Sequence, residues 1–216
     1  MPSFVKRWYP LALALLATII SAAVLTRLPE RMVVHWDMDG NPNGWMPRIV
    51  GAFFSPAMML VMWLVLRAAP SIDPRGDNFQ KFYKSYDIVI AATSTLLFAM
   101  HLTLLAVGLG HHVSVAVVGP ILAGALFVIM GNLLPRARPN FVYGIRTPWT
   151  LSSDRVWMRT HRVGGYAMVT AGLVMIAAAL LLPSGSGIPV VIGAALIALL
   201  GPMIYSYLTW KQEMKK

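Results

Sequence analysis

Along this chain apolar residues run in long stretches, and charge interrupts them only near their ends. A charge-free window of about 17 to 25 residues is the length a helix needs to cross a bilayer core. Six windows qualify: between Arg7 and Arg27, between Arg48 and Arg67, and from about Ile88 to Leu109, Val113 to Leu134, Val163 to Leu182 and Ile188 to Leu208. Only a few residues, with His111 and His112, separate the third and fourth, which predicts a tight antiparallel helical hairpin. The fifth and sixth are joined by Pro-Ser-Gly-Ser-Gly at 183–187, a turn with no charge. The pattern predicts an all-α, polytopic integral membrane protein with six transmembrane helices.

Composition agrees, since 57% of the 216 residues are hydrophobic and 12% charged, more apolar than ordinary soluble domains. An even number of spans puts both termini on one side, so the cations of alternate loops can be compared. Fifteen of the eighteen Lys and Arg fall in the N-terminus, the second and fourth loops and the tail; the other side has Arg27, Arg31 and Arg48. The positive-inside rule then predicts an N-in/C-in topology, with loop 26–48 outside the cell and loop 135–162 in the cytoplasm. The net charge of +10 implies no direct nucleic-acid binding, because its cations lie beside helix ends, where anionic membrane lipids are the expected partners. Lys6 and Arg7 before an apolar run, with Ser21-Ala22-Ala23 behind it, imitate a signal peptide. The run is long for a signal core, and removing it would break the charge pattern, so it is read as a span. With no cysteine, disulfide and thiol chemistry are excluded.

Two loops are long enough to carry function. In the outer one, Leu28-Pro29 ends the first helix. Asp39-Gly40 and Asn43-Gly44 are turn signals, and Trp36 and Trp45 suit the headgroup zone. His35, Asp37 and Asp39 alternate as metal ligands can, but Pro42 stands where a calcium loop needs glycine and no bidentate glutamate follows. A structured turn is expected there, with no metal or other cofactor.

The inner loop opens with Gly131-Asn132, where Asn132 can tie bundle to loop or bond a neighbouring helix. Pro135 and Pro139 stop the helix and Gly144 frees the backbone to turn. Pro148 holds Arg146 and Thr147 extended. Ser153 is a good N-cap and Asp154 a favourable first-turn anion, so a helix starting near Asp154 should run into the fifth span. Arg155, Arg159 and Arg162 share one stripe of that helix, Trp157 and His161 another. Lipid anchoring explains the cations. The packed group of Asn140, Gly144, Arg146, Thr147, Pro148 and Trp149 points instead to a rigid, donor-rich turn with a docking or structural role.

His101 lies deep in the third span, where ionisable groups are functional candidates. No acidic residue lies in any span to form a relay with it, so a histidine hydrogen-bonded within the bundle is expected. Six spans with His101 and Gly201-Pro202 also fit a small transporter or channel, although few polar residues are available to line a path. An enzyme using His35 with Asp37 or Asp39, or His161 with Asp154, lacks a nucleophile or a matched metal motif beside either pair.

The run from Gly131-Asn132 through Pro139-Asn140 to Gly144-Ile145-Arg146-Thr147-Pro148-Trp149-Thr150, then Val156-Trp157 and Thr160-His161, resembles the bacterial SdpI family, membrane immunity proteins against a sporulation-delaying killing toxin. Leu28-Pro29, His35-Trp36 and Gly40 are similar to a small membrane module often found N-terminal to that family's domain. The resemblance implies a two-helix module, 1–66, followed by a four-helix domain, 67–216, in the cytoplasmic membrane of a bacterium, with no catalysis. It further implies two partners, a secreted peptide toxin and an autorepressor of the ArsR type held at the membrane. Asn132, Asn140, Gly144, Arg146, Thr147, Pro148, Trp149, Trp157 and His161 would then form the cytoplasmic functional motif, and His35, Trp36 and Gly40 the extracytoplasmic one.

Overall fold

The computed structural model describes residues 3–37, 40–183 and 186–215, with side chains from Trp8 onward. Asp39, one of the three alternating metal-ligand candidates, and the centre of the 183–187 turn lie outside the described residues.

Among the described residues, seven α-helices and one β-hairpin follow in the order α1 (Ser3–Val24), β1 (Arg31–Trp36), β2 (Pro42–Pro47), α2 (Arg48–Ile72), α3 (Tyr83–Gly108), α4 (Val115–Leu133), α5 (Pro148–Ser152), α6 (Asp154–Leu181) and α7 (Gly187–Glu213). All except the short α5 are long and apolar enough to cross a membrane, which gives the six expected spans. Several outrun their charge-free windows. Helix α2 continues beyond Arg67 to Ile72 because the guanidinium is neutralised by Asp87 on α3, 3.0 Å away. Helix α6 starts at Asp154, with the Ser153 hydroxyl accepting the Val156 N–H as the N-cap reading requires.

The outer loop departs from expectation, because it forms a two-stranded antiparallel sheet in which Arg31 pairs with Pro47 and Val33 with Trp45. Val33 and Val34 favour strand, and both prolines sit at the ends of β2, where a missing N–H does least harm. Gly40 serves the turn at φ +83°, with the Asp37 carboxylate accepting the Asn41 N–H at 2.8 Å. Asn43-Gly44 makes none. Gly44 lies inside β2 opposite His35, where a Cβ would come within 2.8 Å of the histidine Cβ.

Helices α1, α2 and α3 pack together, α4, α6 and α7 pack together with α6 in the middle, and α3 joins the groups by lying against α4. In lipid no hydrophobic force draws helices together, so close association needs small residues that let backbones approach. The α4–α6 pair has them, spaced two turns apart on each helix. A Cβ on Gly131 would lie 2.7 Å from the Gly165 carbonyl oxygen and 2.8 Å from the Val169 nitrogen, and one on Gly124 would lie 2.6 Å from the Gly172 carbonyl oxygen. These obstacles are backbone and cannot swing aside.

His101 on α3 is fully buried, as expected of a histidine bonded within the bundle. Its Nε2 lies 3.1 Å from the Ser21 hydroxyl of α1, and that hydroxyl donates to the Ala52 carbonyl of α2 at 2.6 Å. Three helices thus share one polar tie near the hairpin.

Gly131→Ala is expected to destabilise the fold by roughly 1–3 kcal/mol through overpacking. Gly193→Ala, whose new methyl meets nothing within 4 Å, should be neutral or slightly stabilising. Thermal unfolding of both variants in one detergent checks the contrast.

Candidate functional site

Opposite the hairpin end, residues 134–153 form a collar around the ends of α4, α6 and α7. It begins with a 3₁₀ turn at Leu134–Arg136 and then leaves regular structure until α5. Backbone of that kind must find partners for its N–H and C=O groups. Asn140, fully buried, meets much of this need: its amide donates to the carbonyls of Arg138 (2.7 Å) and Tyr143 (3.0 Å), and its oxygen accepts the N–H groups of Val142 (2.8 Å) and Tyr143 (2.7 Å). One side chain therefore folds the whole turn around itself.

Helix α6 supplies the next layer. Trp157 and His161 are both fully buried, and their rings stack with centroids 4.0 Å apart. The indole N–H donates to the Ala137 carbonyl at 2.9 Å. His161 Nε2 accepts the Ile145 N–H at 3.0 Å, so that nitrogen must carry a lone pair. The ring proton then sits on Nδ1, which donates to the Trp157 carbonyl at 2.8 Å. Gly144, at φ +119°, lies over the edge of this imidazole; a Cβ there would run into His161 Nε2. Glycine is required here for space as well as for conformation.

Thr147 has the extended backbone that Pro148 imposes, and its hydroxyl caps the short helix α5 in a capping box with Thr150. The Thr147 hydroxyl also lies 3.0 Å from that of Ser206 on α7, and the Thr150 hydroxyl donates to the Ile145 carbonyl at 2.8 Å. Ser153 donates to Glu213 at 2.7 Å, so the collar is latched to α7 at two levels. Trp149 packs against Tyr207, ring centroids 5.1 Å apart.

Residues that local sequence did not single out hold the collar from the α2–α3 connection. The Asp73 carboxylate accepts the Phe141 N–H at 2.7 Å and Asn78 donates to the Pro139 carbonyl at 2.8 Å. Arg75 donates to the Leu151 carbonyl at 3.2 Å. Phe79, Phe82 and Tyr86 pack around Tyr143, whose hydroxyl is pushed well above the ordinary phenol range by burial. No local signal marks these side chains. Asp73-Pro74 after an apolar run reads as an ordinary helix end, and α5 could have been read from Thr147-Pro148, an N-cap followed by proline.

Asn140, Gly144, Thr147, Trp157 and His161 thus converge, whereas Asn132 does not. It is exposed and its amide donates to Val128 one turn back on its own helix. Arg146 is exposed too, with its guanidinium turned back to the Phe141 carbonyl. Around the buried knot Arg136, Arg138, Arg155, Arg159 and Arg162 all face outward. The two stripes of α6 therefore separate cleanly: aromatic inward, cationic outward. At the other end His35 Nδ1 lies 2.5 Å from the Asn43 side-chain oxygen, and among the described residues no three His, Asp or Glu side chains gather as a metal site would require.

Comparison with known proteins bears on this collar directly. The model of the SdpI/YfhL protein family matches residues 136–206, which begin in the collar and run through α6 into α7. A domain of unknown function, DUF1648, matches residues 12–60, from α1 across the hairpin into α2. The uncharacterized protein YfhL of Bacillus subtilis is 30% identical over 98 residues, 44% of this chain and 84% of that protein. This chain belongs to the SdpI/YfhL family. The immunity protein SdpI of the same organism is 26% identical over 161 residues, 74% of either chain. No solved structure matches. As a family member with six apolar helices, the chain is a multi-pass membrane protein.

Asn140→Ala strips four hydrogen bonds from buried backbone and is expected to cost roughly 2–4 kcal/mol. Arg138→Ala, on an exposed side chain, should stay within about 0.5 kcal/mol. Thermal midpoints, together with limited proteolysis of the 137–147 segment, distinguish the two.

Proposed function

We propose that this chain is a membrane immunity protein of a bacterial cytoplasmic membrane, protecting its host from a secreted peptide toxin and passing the toxin's presence to a cytoplasmic partner. Support for immunity comes from the relative named as an immunity protein, which matches across three quarters of the chain. Carrying the second half of the reading is the collar itself: a buried, hydrogen-bonded knot around Asn140 and His161 that presents outward-facing arginines in fixed positions. Lipid anchoring alone needs cations but no such scaffold.

In this reading the termini and collar face the cytoplasm, as the cation asymmetry between alternate loops directs, and the hairpin faces outward. The hairpin and the bundle beneath it meet the toxin. The collar meets a soluble protein, and a repressor of the ArsR type held there would be kept from DNA. A set of outward-facing guanidinium groups suits an acidic face on such a partner. No reaction is assigned to the chain, since the relative that supports the reading is named an immunity protein and His161 is fully engaged in holding the turn.

Reporter fusions at the collar and in the hairpin loop should report inside and outside respectively; a collar exposed to the exterior ends the proposal. Expression in a toxin-sensitive strain should raise survival, and unchanged survival removes the immunity role. Arg146→Ala should leave insertion and protein level intact while reducing signalling to a reporter gene several-fold, since the guanidinium lies at the surface and no span depends on it.

A further inference from the structure

The hairpin and the collar lie at opposite ends of the bundle, and one helix is built into both. Helix α2 follows β2 without a break, and its first turn is clamped to the hairpin. Arg48 donates its N–H to the Glu30 carbonyl at 2.8 Å and its Nε to the Pro29 carbonyl at 3.3 Å. One turn on, Gly51 faces the fully buried Met32 of β1 so closely that a Cβ would come within 3.0 Å of the methionine Cβ and sulfur.

At its far end α2 terminates on the collar. Asp73, the first residue after the helix, still donates its N–H to the Ala69 carbonyl at 3.1 Å. One oxygen of its carboxylate accepts the Arg75 N–H and the other the Phe141 N–H, both at 2.7 Å. Asn78 and Arg75 add the bonds to Pro139 and Leu151. The Arg75 guanidinium also sits 5.7 Å from the centre of the Phe141 ring and 3.8 Å from Asp154, the first residue of α6. Along its 25 residues α2 spans roughly 37 Å, enough to cross a bilayer's roughly 30 Å hydrocarbon core, and apart from the ladder bonds missing at Pro56 and Pro70 its backbone is hydrogen-bonded from end to end, so that a push at one end is carried to the other.

Room to move is present as well. A cleft of about 890 Å³ opens beside the junction, lined among others by Leu66, Pro70, Asp73, Gly76 and Phe79. In contrast, α4 and α6 are locked backbone to backbone. Helix α2 is held instead by side chains, with Arg67 paired to Asp87 and the Leu66 carbonyl accepting the Tyr86 hydroxyl at 2.8 Å, and it carries a polar hook at its end.

We infer that α2 is the mechanical link between hairpin and collar, and that Asp73 is the positioning residue through which a displacement of the hairpin reaches the Phe141 turn. The inference rests on the proposed function only for what the movement signifies, since the linkage itself can be measured without toxin or partner.

Hydrogen–deuterium exchange of the full chain in lipid nanodiscs provides the test. Gly51→Val and, separately, Met32→Ala disturb the hairpin clamp by overfilling or emptying the same contact. Each should speed exchange of segment 31–47 and also, several-fold, that of segment 139–146. Asp73→Ala should speed 139–146 roughly tenfold or more while leaving 31–47 unchanged, and adding either hairpin substitution to it should produce no further change. Asp73→Asn, which keeps one acceptor, should be intermediate and guards against misfolding of the alanine variant. If 31–47 loosens and 139–146 keeps its original rate, or if the effects of the hairpin and Asp73 substitutions multiply as independent changes do, the link is refuted. Should both hairpin variants leave 31–47 unaltered, the clamp itself is absent and the inference fails with it. A chain that shows the linkage but gives no protection against toxin would overturn the proposed function and leave the linkage standing.

Discussion

Between Ala137 and Thr147 the backbone is neither helix nor strand, yet much of it is buried at the end of a membrane bundle. Each amide and carbonyl there has to be met by protein, because an unpaired buried group costs as much as the bonds that would hold the turn. Asn140 satisfies four such groups, His161 one, Asp73 one, Asn78 one and Trp157 one. Asparagine suits the central place because its amide both donates and accepts in one plane. Histidine suits the second because its neutral ring can accept from Ile145 while donating to its own helix.

Such a turn stays rigid only if the helices beneath it do, and the α4–α6 glycines provide that. Helix α4 leads into the collar at Leu134 and α6 leads out of it at Asp154, so the two backbones that bracket the loop are held at their closest approach. Trp157 and His161 then project from a fixed helix into the turn. Apart from the Asp73 carboxylate, the groups that hold the turn from inside are neutral, and the cations collect outside, which leaves an arginine-bearing surface. That division of labour is why substitutions of exposed arginines should affect what the collar meets, and substitutions of the buried residues should affect whether it exists.

Much of the architecture was legible from local pattern. Six apolar windows, the change to extended backbone at Leu28-Pro29, the turn at Gly40, the extended Thr147 before Pro148 and the start of α6 at Ser153-Asp154 each depend on residues within a turn or two. The hairpin was less legible. Its valines and paired turn signals were visible, but whether Asn43-Gly44 turns or pairs depends on which glycine meets His35 across the sheet. Asn132 misled for a related reason: a polar residue near a helix end suggests a tie, and only packing shows that it bonds its own helix and faces outward.

By itself, then, the sequence determined the number and approximate placement of the spans, the start of α6, and the segregation of cationic from aromatic positions along that helix. These follow from hydrophobic length, proline and glycine geometry, capping and helical period, all of which act between near neighbours. Tertiary structure alone decided that Asp73 holds Phe141, 68 residues away, that Thr147 meets Ser206, and that Gly131 lies against Gly165. A hydrogen bond or a close backbone approach requires two groups brought together in space, and nothing in the neighbourhood of either one along the chain specifies its partner.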